Sequence, residues 1–128
     1  PVPAVPPFDT QEAAELAALG VTYQNIVITR TMTQAQFDEM ATEAAYQLLV
    51  NALPDAALIH CSSGDRASSV FAALLIALGL LSNDDAAAYA ENCLLLANSA
   101  MIAFVKSYAP VQPRADAIRT AGAGRLRA

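Results

Sequence analysis

Apolar residues recur at helical spacing along most of the chain, and short β-branched or apolar runs interrupt that spacing in two places. In "DTQEAAELAALG" a start signal at Asp9 or Thr10, early glutamates and a stop at Gly20 predict a first helix. "VTYQNIVIT" is rich in β-branched and aromatic residues, so Val21 to Thr29 is predicted to be a strand. A capping threonine at Thr31 or Thr33, followed by Phe37, Met40, Ala44 and Leu48, predicts a second helix. A Pro-Asp turn then leads into the apolar run from Ala56 to His60, which reads as a buried strand.

"CSSGDR" is the turn after that strand, and "ASSVFAALLIALGLL" is a helix apolar on nearly every side, hence deeply buried. Ser82 or Asn83 starts another helix, with Asp84 and Asp85 in its first turn, running through "AAAYAENCLLLAN". "AMIAFVKSY" continues as a helix that ends before Pro110, and periodicity is lost after Ile118. The opening "PVPAVPPF", with four prolines in eight residues, is expected to be an extended arm or covering loop. Alternating helices and strands predict an α/β fold, a small parallel sheet flanked by helices with a helix-rich C-terminal half. The expected organisation is one domain over residues 1–110 and a tail over residues 111–128 that is mobile or packs on a neighbour.

Composition narrows the classes of function. The chain has 128 residues, enough for one domain with a core, and its longest apolar run falls short of the roughly 18–20 residues of a membrane span. No membrane association is expected. A net charge of -5 argues against nucleic-acid binding, since four of the seven basic residues, Arg114, Arg119, Arg125 and Arg127, lie at the C-terminal end. Arg30 and Arg66 are the only arginines in the acidic body, and a lone arginine there is best explained by a local anionic ligand. Two cysteines make neither a disulfide framework nor a zinc-binding spacing, so no metal or cofactor is expected. Cys93, in an apolar helical pattern, reads as an inert core residue. The first residue is Pro1, which reads as a processed or cut end, and the expected compartment is the cytoplasm. The very apolar helices, with only two visible strands, favour a homodimer that covers apolar surface.

The chemistry concentrates in "HCSSGDRAS". A loop leaving a strand and entering a helix can turn the backbone amides of Ser62, Ser63, Gly64, Asp65 and Arg66 around one oxyanion, with the helix N-terminus adding positive potential. Gly64 permits the turn, and Arg66 can offer a two-pronged contact to phosphate or sulfate. The same field favours the thiolate of Cys61, whose ordinary ionisation lies near pH 8.5. Ser68 or Ser69 could bond the sulfur or a leaving group, and His60 is expected to orient the loop. Of the acids a phosphate ester's departing oxygen would need, Asp65 lies in the loop and Asp38 on the second helix; Arg30 could supplement the anion site.

This stretch resembles the signature loop of the cysteine-dependent phosphatases, His-Cys-x-x-Gly-x-x-Arg-Ser/Thr. One spacing departs from it: the arginine follows the cysteine by five positions rather than six. Cys-x-x-Gly-x-Arg is the spacing of many rhodanese-type sulfurtransferases and of the bacterial beta-lactamase hydrolase-like group, which is phosphatase-like. The order of "ELAALGVTYQNIVITRTMTQAQFDEM" and "ALIHCSSGDRAS" is similar to that group over residues 8–81. The resemblance implies a protein-tyrosine-phosphatase-like domain with Cys61 as nucleophile, Gly64 and the loop amides as cradle, and Arg66 as phosphate clamp. The leading expectation is hydrolysis of a phosphate monoester on a small molecule or a protein. A rhodanese-type sulfurtransferase and a non-catalytic oxyanion-binding or regulatory domain are the alternatives.

Overall fold

The computed structural model describes residues 8–20, 25–52, 59, 61 and 64–127. Among these residues the fold is helical: α1 (Phe8–Ala18), α2 (Gln34–Tyr46), α3 (Asp65–Ala77), α4 (Asn83–Cys93), α5 (Ser99–Lys106) and α6 (Arg114–Arg127). A π-helical segment, Gln47–Ala52, prolongs α2. No strand or sheet occurs among the described residues, which overturns the expected α/β fold with its parallel sheet.

The reason is visible in Asn25 to Thr29. Burial there alternates, with Ile28 buried and Val27 and Thr29 exposed, so the two-residue period behind the strand prediction is real. No ladder partner stands beside it among the described residues. The carbonyl of Ile28 instead faces the Arg66 guanidinium, Nη1 donating at 3.5 Å. Residues 21–24 of that predicted strand, and all of the predicted Ala56–His60 strand except Ile59, lie outside the described residues.

The helices start where capping chemistry starts them. Thr33 and Gln36 form a reciprocal capping box at α2, with Thr33 Oγ1 accepting from Gln36 N at 3.1 Å and Gln36 Oε1 from Thr33 N at 2.9 Å. Ser82 caps α4, accepting from Asp85 N at 3.1 Å, and Asn98 caps α5, accepting from Met101 N at 3.1 Å. The helix predicted to run from Asn83 through Asn98 therefore breaks after Cys93. Leu94 N and Leu96 N both donate to Ala90 O, and Leu95 between them takes a left-handed φ of 60°. Cys93 is consequently exposed at a helix end, which corrects its assignment to the core.

α3 is the central element, packed against α2, α4, α5 and α6. Small residues make the close approach possible: Ala41, Ala44 and Ala45 on α2, Ala72, Ala73 and Ala77 on α3, and Ala86, Ala87 and Ala90 on α4 are all buried. α6 lies along α2 and the π-helical segment, burying Ala115 and Ile118. Gly122 lets α6 approach closely there, since a Cβ at that position would displace the Leu78 side chain. Larger side chains, Phe37, Met101, Val105 and Ile118, fill the interior. Among the described residues no helix is long and apolar enough to cross a membrane.

One buried polar cluster ties the elements around α2. The Thr42 hydroxyl donates to Asp38 O at 2.6 Å, so its proton is used, and Tyr108 must donate to Thr42 Oγ1 at 2.7 Å; Val111 N donates to the same oxygen at 3.1 Å. Burial pushes the Tyr108 phenol up to about 12, the Asp38 carboxylate adds in the same direction, and the Thr42 hydroxyl opposes it. The unfolded chain then releases this proton near pH 10 while the native state keeps it. Stability from this group should be fully present below pH 10 and fall between pH 10 and about 12, by a little over 1 kcal/mol per pH unit. Urea unfolding of the wild type and Tyr108→Phe across that window measures it. The wild type should lose stability relative to the variant, and parallel profiles would refute the assignment.

Candidate active site

Gly64, Asp65 and Arg66, singled out in the sequence, stand at the N-terminus of α3. Gly64 is its N-cap, with φ 90°, a left-handed conformation that glycine adopts without Cβ strain. Open space surrounds the position of a Cβ at Gly64, so the requirement is one of backbone conformation and not of room. A glycine cap also offers the first-turn amides no side-chain acceptor. That leaves an electropositive helix end facing the loop.

Cys61 lies against this end. Its Sγ accepts a hydrogen bond from Gly64 N at 3.1 Å, and the residue is half-buried. A backbone donor on sulfur at a helix N-terminus stabilises negative charge there. His60, Ser62 and Ser63 fall outside the described residues, so the cradle is described here through Cys61, Gly64, Asp65 and Arg66.

Arg66 occupies the second position of α3. Its guanidinium reaches back to Ile28 O and lines an open cavity of about 400 Å³ together with Thr29, Arg30 and Thr31. Thr33, and not Thr31, caps α2, so the Thr31 side chain is left to the cavity wall. Arg30 and Arg66 thus line one concave surface. The pairing of Arg30 with Arg66 across 36 positions of sequence has no local signal beyond their being the two arginines of the acidic body.

Asp65 bridges the site to its surroundings. One carboxylate oxygen, Oδ2, faces Arg30 Nη2 at 3.6 Å, and the other, Oδ1, accepts from Ala97 N at 3.2 Å. Its side chain is 15% exposed against 54% for Arg30, so the carboxylate is the more buried partner of the pair. Ser68 Oγ donates to Leu94 O at 3.1 Å, a strut between α3 and the turn after α4. Ser69 is buried, its hydroxyl donating to Arg66 O at 2.7 Å. Both hydroxyl protons are therefore directed at carbonyls and not at the sulfur. Asp38 accepts from Gln34 Nε2 at 2.8 Å on its own helix and belongs to the Thr42–Tyr108 cluster.

No family model, curated protein or solved structure matches this chain.

Proposed function

We propose that the protein is a cysteine-dependent phosphatase-like hydrolase acting on a phosphate monoester. The observation that carries this reading is the hydrogen bond from Gly64 N to Cys61 Sγ at the uncapped start of α3, with Arg66 two residues on. Cys61 thiolate attacks phosphorus, forming an S–P bond as the P–O bond to the leaving group breaks. Arg66 and the loop amides hold the non-bridging oxygens, where charge is greatest in the transition state. Water then attacks the phosphocysteine, the S–P bond breaks, and inorganic phosphate and the thiolate are regenerated. Asp65 is the acid closest in sequence to the nucleophile, and its engagement by Arg30 and Ala97 favours a positioning role toward Arg30 over protonation of the leaving group.

A cytoplasmic location belongs to the same proposal, because the mechanism needs a reduced thiol and that compartment maintains one. The substrate is a phosphorylated small molecule or protein. The test is phosphate release from an aryl phosphate whose phenolate leaves without protonation, run beside thiocyanate formation from thiosulfate and cyanide. Phosphate release supports the proposal; thiocyanate formation would replace it with a rhodanese-type persulfide on Cys61. Phosphate binding without either activity would mark a non-catalytic oxyanion-binding module. For a hydrolase, Arg66→Ala should lower kcat/KM by roughly a hundredfold or more, and Arg66→Lys should not restore it, because an ammonium lacks the planar pair of donors.

A further inference from the structure

The cavity lined by Arg66 also holds a second guanidinium-bearing residue. Arg66 lies at the start of α3, two residues after the Gly64 amide that bonds Cys61 Sγ. Arg30 lines the same cavity from the segment before α2, flanked by Thr29 and Thr31. Among the described residues its ion pair is with Asp65 Oδ2 at 3.6 Å, well outside the 2.7–2.9 Å of a charge-assisted hydrogen bond. Arg30 is thus steered toward the cavity by Asp65 without being locked to it. Asp65 itself is anchored elsewhere, through Oδ1 to Ala97 N, so it keeps its place when the guanidinium turns away.

The size of the cavity points the same way: about 400 Å³ is more room than a phosphate ion fills. We propose that the substrate carries a second anionic group, a phosphate or carboxylate displaced from the reacting phosphoryl, and that Arg30 with the Thr29 and Thr31 hydroxyls receives it. The proposal rests on the reading of Cys61 and Arg66 as the phosphoryl site. It selects small bis-anionic metabolites over singly phosphorylated serine, threonine or tyrosine side chains in a protein.

The experiment is calorimetric titration of the whole chain at about 150 mM salt with inorganic phosphate and with methylenediphosphonate, a bis-anion whose P–C–P bridge resists hydrolysis. The diphosphonate should bind roughly tenfold more tightly than phosphate, the effect of one additional charge-assisted pair at a half-exposed site. Arg30→Ala should erase that preference and leave phosphate affinity within about twofold. Arg119→Ala removes the same charge near the far end of α3, where Arg119 donates to Ala77 O, and should leave the preference intact. Equal affinity for the two probes, or a preference that survives Arg30→Ala, would overturn the second-anion site while leaving the phosphoryl site standing. Failure of either probe to bind the wild type would remove the phosphoryl-site reading itself, and this inference with it.

Discussion

Replacing Cys61 with serine is expected to lower turnover of an aryl phosphate by a thousandfold or more while leaving phosphate affinity within a few-fold of the wild type. A thousandfold loss corresponds to about 4 kcal/mol of transition-state stabilisation. Serine is nearly isosteric and keeps an acceptor for Gly64 N, so the loop and the start of α3 have no reason to rearrange. What changes is the nucleophile: a hydroxyl at neutral pH remains protonated where a thiol at a helix N-terminus ionises. The separation of binding from turnover is therefore the signature. Steady-state kinetics and phosphate titration of the same preparation read both quantities, and a thermal melt confirms that the variant folds. Phosphate release that survives the substitution would eliminate Cys61 as nucleophile.

The short spacing between Cys61 and Arg66 shapes what such a site can do. With a single residue separating Gly64 from Arg66, the arginine lies within the first turn of α3, and its guanidinium extends toward Ile28 O and the shared cavity. The intervening residue is Asp65, whose carboxylate would repel a phosphate dianion if it pointed into the cradle. Its Oδ1 accepts from Ala97 N and its Oδ2 faces Arg30. The same contact, with the Ser68 strut to Leu94, fixes the turn after α4 against the site. Leu95, 81% exposed in its left-handed conformation, is displayed on that turn.

The sequence disclosed the parts of this site that lie within six residues of one another and concealed the parts that tertiary packing supplies. Cys61, Gly64 and Arg66 are legible because glycine, cysteine and arginine at a helix start each have a local physical reason to be there. The sequence offers Arg30 only as a supplement to the anion site, and its meeting with Asp65 and Arg66, like that of Ala97 with Asp65, comes through the packing around α3, which no periodicity encodes. Helix starts at Thr33 and Ser82 were equally legible, as capping is a matter of three or four consecutive residues. The fold class was not. Val21 to Thr29 has strand composition, and its described part even shows alternate burial, but composition does not create a partner for the ladder. Alanine-rich helices decide the architecture instead, since alanine has both the highest helix propensity and the smallest side chain at a helix contact. α6 was hidden for the same reason: after Ile118 its inward positions are Ala121 and Gly122, too small to register as a hydrophobic period.

Phe37→Ala is expected to cost the fold about 3–5 kcal/mol, the range for deleting a fully buried aromatic ring. Phe37 has no exposed surface and sits in the first turns of α2, stacked on Phe104 with ring centroids 4.9 Å apart and planes within 8°. Tyr108 meets it edge-on at 5.9 Å. The resulting cavity cannot readily close, because polar ties hold its walls apart: Gln34 Nε2 donates to Phe104 O at 3.1 Å, and Tyr108 is bonded to Thr42 on the same helix. Such a loss is a large share of the 5–15 kcal/mol that stabilises a typical domain. Urea denaturation should show a lower midpoint at unchanged slope, and Phe37→Leu should recover part of the difference by refilling the space. A cost below about 1 kcal/mol for Phe37→Ala would mean that the ring is not a core element. The consequence reaches the site, since α2 begins three residues after Thr31 and its seating orients the Thr29–Thr31 wall of the cavity. In the Phe37→Leu protein, which remains folded, the preference for diphosphonate over phosphate should shrink more than phosphate affinity does, because Arg30 lies on the segment that leads into α2 whereas Arg66 is carried by α3.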